Sequence, residues 1–190
     1  MRAPLTAGIA LLFVSISASA EKFADALEDF RAATGTQAFF ADAYGYAIFP
    51  TIGKGGIGIG GAYGKGRVYE RNLYTGDTSM AQLSIGFQLG GQAYSQIVFF
   101  RDKDAHDEFA SGNFEFGAEA SAVALTLGAQ AQAGTTGASA SGNESNSGDA
   151  SGSTQWAAGM AIFTLAKGGL MYEASIAGQK FNYKPASSSN

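Results

Sequence analysis

Few side chains in this sequence have the types and the spacing that enzyme chemistry requires. His106 is the only histidine and the chain has no cysteine, so the sequence offers neither a thiol nucleophile nor a histidine-rich metal site. The carboxylates are scattered and form no pair at a spacing that suggests a hydrolase. The sequence therefore predicts a protein that is not an enzyme and that uses no cofactor and no metal.

A glycine-rich motif at Gly56–Gly61 satisfies the pattern GxGxxG. In a dinucleotide site, a helix must begin at the third glycine so that its N-terminus meets the pyrophosphate. Here the alternation of glycine with isoleucine and tyrosine continues through Tyr63, and Gly64 and Gly66 would disrupt a helix. The motif therefore predicts a strand that another layer approaches closely.

Four acidic residues lie within the seven residues from Asp102 to Glu108. An EF-hand calcium loop needs a ligand at its fifth position and glycine at its sixth. Counted from Asp102, these positions hold His106 and Asp107. The segment instead predicts a short helix near 102–110 that an aspartate caps.

One charge pattern favours a binding surface. Residues 43–69 contain no acid, although the net charge of the chain is −4. Lys54, Lys65 and Arg67 lie in this stretch, and Arg71 follows it. If Lys54 and Lys65 lie at adjacent turns, these four side chains form a site for lipid phosphates, each cation contributing about 1 kcal/mol near an anionic surface. The alternative is that these cations are ordinary solvated side chains in turns.

The N-terminus predicts export. Arg2 precedes an apolar run from Leu5 to Ile16, and Ala18-Ser19-Ala20 matches a signal peptidase site. The run is shorter than the ~20 residues that span a bilayer. We therefore expect a signal peptide at 1–20, a single domain at 21–190, and a protein of the periplasm or associated with the outer membrane. Without cysteine it is not a lipoprotein, and its acidic balance predicts no nucleic-acid partner.

The periodicity of the chain changes from helical to strand-like near Tyr44. Apolar residues predict a helix at 22–33 and a second at 37–43, and alternating segments follow, with a turn expected at Thr75–Asp77. Glycine accounts for 27 residues while 46% of the chain is hydrophobic, which indicates packed β structure rather than disorder. We predict an α+β fold, with N-terminal helices packed on a curved, mostly antiparallel glycine-rich sheet or partial barrel.

Two segments are expected to lie outside this core. Residues 134–154 are almost wholly small and polar, which predicts a flexible low-complexity loop. The serine-rich end is expected to be a frayed tail from residue 185.

An ordered run of motifs over residues 24–183 resembles the SYLF domain family. The motifs are Ala43-Tyr-Gly-Tyr-Ala-Ile-Phe-Pro50, Gly64-Lys-Gly66, Gln88-Leu-Gly-Gly-Gln92, Gly112-Asn-Phe-Glu-Phe-Gly117 and Lys167-Gly-Gly-Leu-Met-Tyr-Glu-Ala174. The resemblance implies lipid binding. Eukaryotic members bind phosphoinositides and some bind actin, and the bacterial members are exported proteins for which phospholipid binding is inferred.

Two departures from the family pattern limit what the resemblance implies. Leu125–Gln130 stands where eukaryotic members have Gly-Pro-x-Gly-Arg, and the N-terminal helix is acidic rather than basic. Generic phospholipid binding is therefore implied, whereas phosphoinositide specificity is not, and actin is not expected as a partner of an exported bacterial-type member.

Three functions stay open at this point. The first is a peripheral phospholipid-binding protein of the cell envelope that contacts the membrane through its basic residues. The second is an integral eight-stranded outer-membrane β-barrel, which the signal peptide, the chain length and the alternating segments also suit. The third is a structural or partner-binding envelope protein whose lipid affinity is incidental.

Overall fold

The computed structural model describes residues 8–86, 91–117, 125–127, 156, 158–167 and 176–187. The helices are α1 (Gly8–Ala32), a 3-10 turn at Thr34–Thr36, α2 (Gln37–Asp42) and α3 (Lys103–Ala110). The strands are β1 (Gly45–Glu70), β2 (Leu73–Gly86), β3 (Gly91–Phe100), β4 (Phe114–Glu115), β5 (Leu125–Leu127), β6 (Met160–Lys167) and β7 (Lys180–Pro185).

The described strands form one curled sheet in the order β4-β7-β2-β1-β3-β6-β5. All neighbouring pairs are antiparallel except β5 and β6, which run parallel. Helices lie at the N-terminus and between β3 and β4. The structure thus confirms the predicted α+β fold with a curved, mostly antiparallel sheet.

The central strand β1 doubles back on itself. If it were straight, its 26 residues would extend about 85 Å. Instead Gly45 lies against the backbone of Tyr69, and a Cβ at Gly66 would lie 2.7 Å from the Phe49 ring. The reversal occurs at Gly56, whose φ of +155° disfavours any side chain. The glycine motif therefore allows close backbone packing within a strand. No helix begins at Gly61, as a dinucleotide phosphate site would require.

The hairpin between β1 and β2 turns at Arg71-Asn72. Both residues have positive φ, 47° and 67°, the combination of a type I′ turn, whose twist matches that of the flanking strands. The turn predicted at Thr75–Asp77 is wrong, because these residues lie within β2, where Gly76 and Asp77 pair with both β1 and β7. Gly76 is needed there for a different reason: a Cβ would press on the Tyr183 ring at 2.8 Å.

Each face of the sheet packs against a different set of helices. The α3 face contacts α3 through Phe109, and its core includes Ala47, Phe49, Ile52, Val68, Met80, Val98, Phe100 and Phe181. The α1 face contacts α1 and α2 through Ala26, Phe30 and Phe39, and its core includes Tyr46, Ile48, Ile97, Phe99, Ala161 and Phe163.

The helices follow the sequence patterns closely. The helix predicted at 22–33 corresponds to the last part of α1, which begins earlier, at Gly8, and ends at Ala32, and the predicted second helix is α2. The predicted helix near 102–110 is α3, and the Asp102 carboxylate caps it by accepting the Ala105 N–H at 3.0 Å. Within the described residues, no helix combines the length and the apolarity needed to cross a membrane.

The C-terminal strand is held at its end by a hydrogen bond. β7 extends to Pro185, and the N–H of Ala186 donates to the Thr75 carbonyl at 2.8 Å. The low-complexity segment at 134–154 lies outside the described residues.

Candidate functional site

The α1 face of the sheet is covered by helices over only half of its width. The covered half consists of the first half of β1 with β3 and β6, where Phe99 and Phe163 are buried under Phe39 of α2. The bare half consists of the second half of β1 with β2 and β7. Side chains directly opposite one another on antiparallel strands share a face, so strand register shows which residues the bare half displays.

Three rows of side chains cross the bare half. The first row is Tyr63, Ala81, Lys180 and Glu115; the second is Lys65, Ser79 and Asn182; the third is Arg67, Asp77 and Lys184. Every member is exposed or half-buried. This half of the sheet therefore presents an exposed surface that is polar over most of its area.

Two of the predicted site residues, Lys54 and Lys65, lie on opposite faces of the sheet. Lys65 alternates with the buried Gly64 and Gly66, is exposed, and lies on the bare half. Lys54 is two residues beyond the core residue Ile52 in a regular stretch of pairing with β3, which places it on the α3 face. Both lysines lie within β1 and not at adjacent turns, and Gly64 and Gly66 beside Lys65 allow close packing against Ile52 and Phe49.

A third predicted residue, Arg67, mainly connects α1 to the sheet. Its guanidinium lies 4.3 Å from the centre of the Phe23 ring of α1 and 5.6 Å from that of Tyr74. Its Nε lies 4.0 Å from the Asp77 carboxylate across the strand pair. Burial first, and then a hydrogen bond to Asp77, raise the pKa of Tyr74 to about 12. Arg67 thus joins α1 to the sheet, and its charge is shared with an acid.

The fourth predicted residue, Arg71, lies at the far end of β1. Its N–H donates to the Tyr44 carbonyl at 2.9 Å, and its guanidinium lies 5.3 Å from the centre of the Tyr44 ring. The Tyr44 hydroxyl donates to Glu70, a contact that raises the pKa of Tyr44. From Arg71 to Lys65 the strand extends about 20 Å. The four predicted cations therefore do not form one cluster.

Strand register adds two cations that the sequence reading missed, Lys180 and Lys184 of β7. Both are exposed on the bare half, two strands away from Lys65, a separation of about 12 Å. The alternation within the segment Lys180-Phe-Asn-Tyr-Lys184 predicts a strand with both lysines on one face. Nothing in the local sequence shows that β7 pairs with β2.

The bare half carries a net positive charge. Its cations are Lys65, Arg67, Lys180 and Lys184, and its acids are Asp77 and Glu115. Each acid has a cation partner, since Lys180 lies 3.4 Å from Glu115 and Arg67 lies 4.0 Å from Asp77. In the described part of the chain, Lys65 and Lys184 have no carboxylate within 4.0 Å. Lys65 and Lys184 therefore give the bare half two positive charges that no acid among the described residues compensates, although the chain as a whole is acidic.

Three large apolar side chains are exposed at one end of the bare half. Ile59 is 73% exposed, Tyr63 54% and Leu83 86%. Leu83 lies opposite Gly61, and therefore between Ile59 and Tyr63 on the neighbouring strand. We call these three residues the apolar triangle.

The α3 face holds a buried polar network in place of a reactive cluster. Gln96 and Gln179 exchange side-chain hydrogen bonds at 2.9 and 3.2 Å, and Gln179 also donates to the Tyr94 hydroxyl at 3.3 Å. Burial raises the pKa of Tyr94 to about 12. Among the described residues, no group of histidine and acidic side chains is arranged to hold a metal ion.

The fold places charged and apolar side chains together on one exposed half of the sheet. The family model Ysc84, described as "Las17-binding protein actin regulator", matches residues 81–186. These 106 residues are more than half of the chain of 190, and the chain therefore belongs to this family, whose domain is the SYLF domain. A comparison with curated proteins finds no match.

Proposed function

We propose that this chain is a non-enzymatic phospholipid-binding protein of the bacterial cell envelope, which contacts membranes peripherally through the bare half of its α1 face. Among the four residues predicted from the sequence, Lys65 and Arg67 belong to this surface, and Lys180 and Lys184 complete it. The single observation that supports the proposal is the combination of unpaired cations and exposed apolar side chains on one rigid surface.

The charges on this surface suit lipid phosphates. Each lysine near an anionic leaflet contributes about 1 kcal/mol, so Lys65 and Lys184 together contribute about 2 kcal/mol. That is a weak attraction by itself, about 30-fold in affinity. A weak attraction suits a protein that associates reversibly with a membrane. The acidic surface outside the bare half limits non-specific attraction.

Vesicle flotation tests the proposal. The protein recovered after export is mixed with vesicles of phosphatidylglycerol and phosphatidylethanolamine, or with vesicles of phosphatidylcholine alone. Flotation with the anionic vesicles at low salt, reduced by added salt because exposed charges are screened, supports the proposal. Equal flotation with both kinds of vesicle, or flotation with neither, contradicts it.

A pair of single reversals then locates the surface. Lys65→Glu is expected to weaken binding to anionic vesicles by about 2 kcal/mol, since it removes one attraction and adds a comparable repulsion. Lys54→Glu changes the net charge equally but lies on the α3 face, so it should bind like the wild type. Equal losses in both variants would show that net charge matters and the bare half does not.

Export is a separate part of the proposal and has its own test. Ala18, Ser19 and Ala20 are exposed on α1, so the residues of the expected cleavage site are not part of the hydrophobic core. The intact mass of the protein recovered from the envelope should correspond to a chain that begins at Glu21. Carbonate extraction should release it from membranes, whereas an integral protein stays in the pellet.

The description of the family supplies a second class of partner. Actin regulation requires contact with a cytoskeletal protein, which an exported chain does not meet. Co-sedimentation with actin filaments in the presence and absence of vesicles distinguishes the two, and pelleting with filaments alone would favour the protein partner over the lipid.

A further inference from the structure

We propose that the apolar triangle of Ile59, Tyr63 and Leu83 inserts into the bilayer, so that the protein docks with this end of the bare half deepest in the membrane. This inference rests on the proposed function and deepens it, because it specifies the orientation and the side chains that enter the lipid. The occupant of the surface is an anionic phospholipid bilayer.

The exposure of these side chains is the first argument. Leu83 at 86% and Ile59 at 73% contribute nothing to the core, and burying an aliphatic side chain of this size is favourable in any apolar medium. Gly61 lies between Ile59 and Tyr63 on β1 and opposite Leu83 on β2, so no side chain on that residue separates the three. The three side chains therefore present one contiguous apolar surface.

The order of apolar and charged side chains along β1 is the second argument. Moving along β1 from the triangle, Lys65 lies two residues beyond Tyr63, and Lys180 lies in the same row as Tyr63 two strands away. Apolar side chains at one end, with Lys180 beside Tyr63 and Lys65 about 7 Å behind it, match the layers of a bilayer surface, where the acyl region lies beneath the phosphates. The Tyr63 ring lies at the junction, as tyrosines do at membrane interfaces.

The position of α1 is the third argument. Phe23 of α1 packs on Arg67, which lies about 26 Å along the strand from Ile59. A helix is 10–12 Å in diameter, so α1 rises above the bare half at the Arg67 end. A flat bilayer therefore meets the sheet first at the end farthest from Phe23, which is the apolar triangle.

Charge complementarity selects the bilayer over a second copy of this chain as the occupant. Two copies that met face to face through this surface would bring Lys65, Lys180 and Lys184 of each copy together. Like charges in one interface oppose association. An anionic leaflet compensates the same lysines.

The absence of cysteine makes a direct test possible. Leu83→Cys and Leu73→Cys are each labelled with the environment-sensitive dye NBD. Leu73 is a matched control, since it is also in β2 and is 73% exposed, but it lies at the opposite end of the strand. With anionic vesicles at low salt, the dye at position 83 should shift to the blue and gain intensity, and the dye at position 73 should not change.

Serine variants measure the contribution of insertion to affinity. Leu83→Ser should bind anionic vesicles about 10- to 100-fold more weakly, the loss expected for removing one buried leucine, and Leu73→Ser should bind like the wild type. Both substitutions are at exposed positions, so both variants should keep the wild-type unfolding midpoint.

The outcomes separate this inference from the proposed function. If the wild type floats but the dye at position 83 stays in water and Leu83→Ser binds normally, insertion is wrong while surface binding stands. If the wild type does not float with any vesicle, the proposed function itself fails. A blue shift that depends on protein concentration and occurs without vesicles would show that a second copy covers the triangle, and it would overturn the inference.

Discussion

The two halves of the α1 face have the same backbone architecture and opposite surface chemistry. On the covered half, Phe99 has no exposed surface and contacts the rings of Phe39, Phe40 and Phe163. On the bare half, the corresponding outward positions hold lysines, small polar residues and an exposed Leu83. The difference shows that the backbone of the sheet alone does not determine whether the side chains on this face are buried. They become part of the core only where helices pack on them.

The largest expected effect is the cost of opening the covered half. Phe99→Ala removes a fully buried ring and should lower the free energy of unfolding by about 3–5 kcal/mol. Tyr63→Ala on the bare half should change it by less than about 0.5 kcal/mol, since surface substitutions have small effects. Urea denaturation of both variants checks this, and similar losses in the two would show that the bare half is also packed.

Alkaline pH should destabilise the α3 face through Tyr94. Its pKa in the folded state is about 12 because burial disfavours the phenolate, whereas an unfolded tyrosine titrates near 10. The neutral form is favoured in the fold, so this contribution is complete below pH 10 and is lost as pH rises from 10 to 12. Two pKa units correspond to roughly 3 kcal/mol.

Stability measured by denaturation across this pH range should fall more steeply in the wild type than in Tyr94→Phe. The variant keeps the ring but has no hydroxyl to ionise. Parallel curves for the two proteins would assign the alkaline transition to other groups.

The doubling back of β1 predicts a contrast between two glycines in that strand. Gly66→Ala should cost about 1–3 kcal/mol, because its Cβ would lie 2.8 Å from the Ile48 carbonyl oxygen and 2.7 Å from the Phe49 ring. Gly53→Ala meets nothing within 4 Å, and should leave stability unchanged or raise it by up to about 1 kcal/mol. Thermal unfolding distinguishes the two, and a tolerant Gly66 would show that the two halves of β1 are not in close contact.

The smallest expected effect is that of Lys65→Glu on folding. Because Lys65 is exposed and has no carboxylate within 4.0 Å in the described part of the chain, the free energy of unfolding should stay within about 0.5 kcal/mol of the wild type. The same variant is expected to lose vesicle binding, so function and stability separate on the bare half. A stability loss above 1 kcal/mol would reveal a structural role for this lysine.

The sequence predicted the elements better than the surface they build. The helices, the alternating strands and the cap at Asp102 follow from local patterns. The face that each cation occupies does not, because a register shift between Phe49 and Ile52 reverses the alternation. Even-numbered residues face α1 before the shift, as Tyr46 does, and face α3 after it. Lys54 is therefore directed away from Lys65.

Long-range pairing explains the cations that were missed. Lys184 lies opposite Asp77, more than one hundred residues earlier in the chain. Neither the length of the connection nor the alternation within β7 determines which strand it joins. Placing the hairpin turn at Thr75–Asp77 failed for a related reason, since Gly76 resembles a turn residue but is required by the close approach of β7.

The bare half is proposed to be the lipid-contact surface, and a pair of double reversals tests this claim most directly. Lys65→Glu with Lys184→Glu should weaken binding to phosphatidylglycerol vesicles by about 4 kcal/mol, close to 1,000-fold. Lys54→Glu with Arg71→Glu makes the same change in net charge away from the bare half, and should stay within about threefold of the wild type. Equal losses in the two variants, or binding by the first that matches the wild type, would contradict the claim.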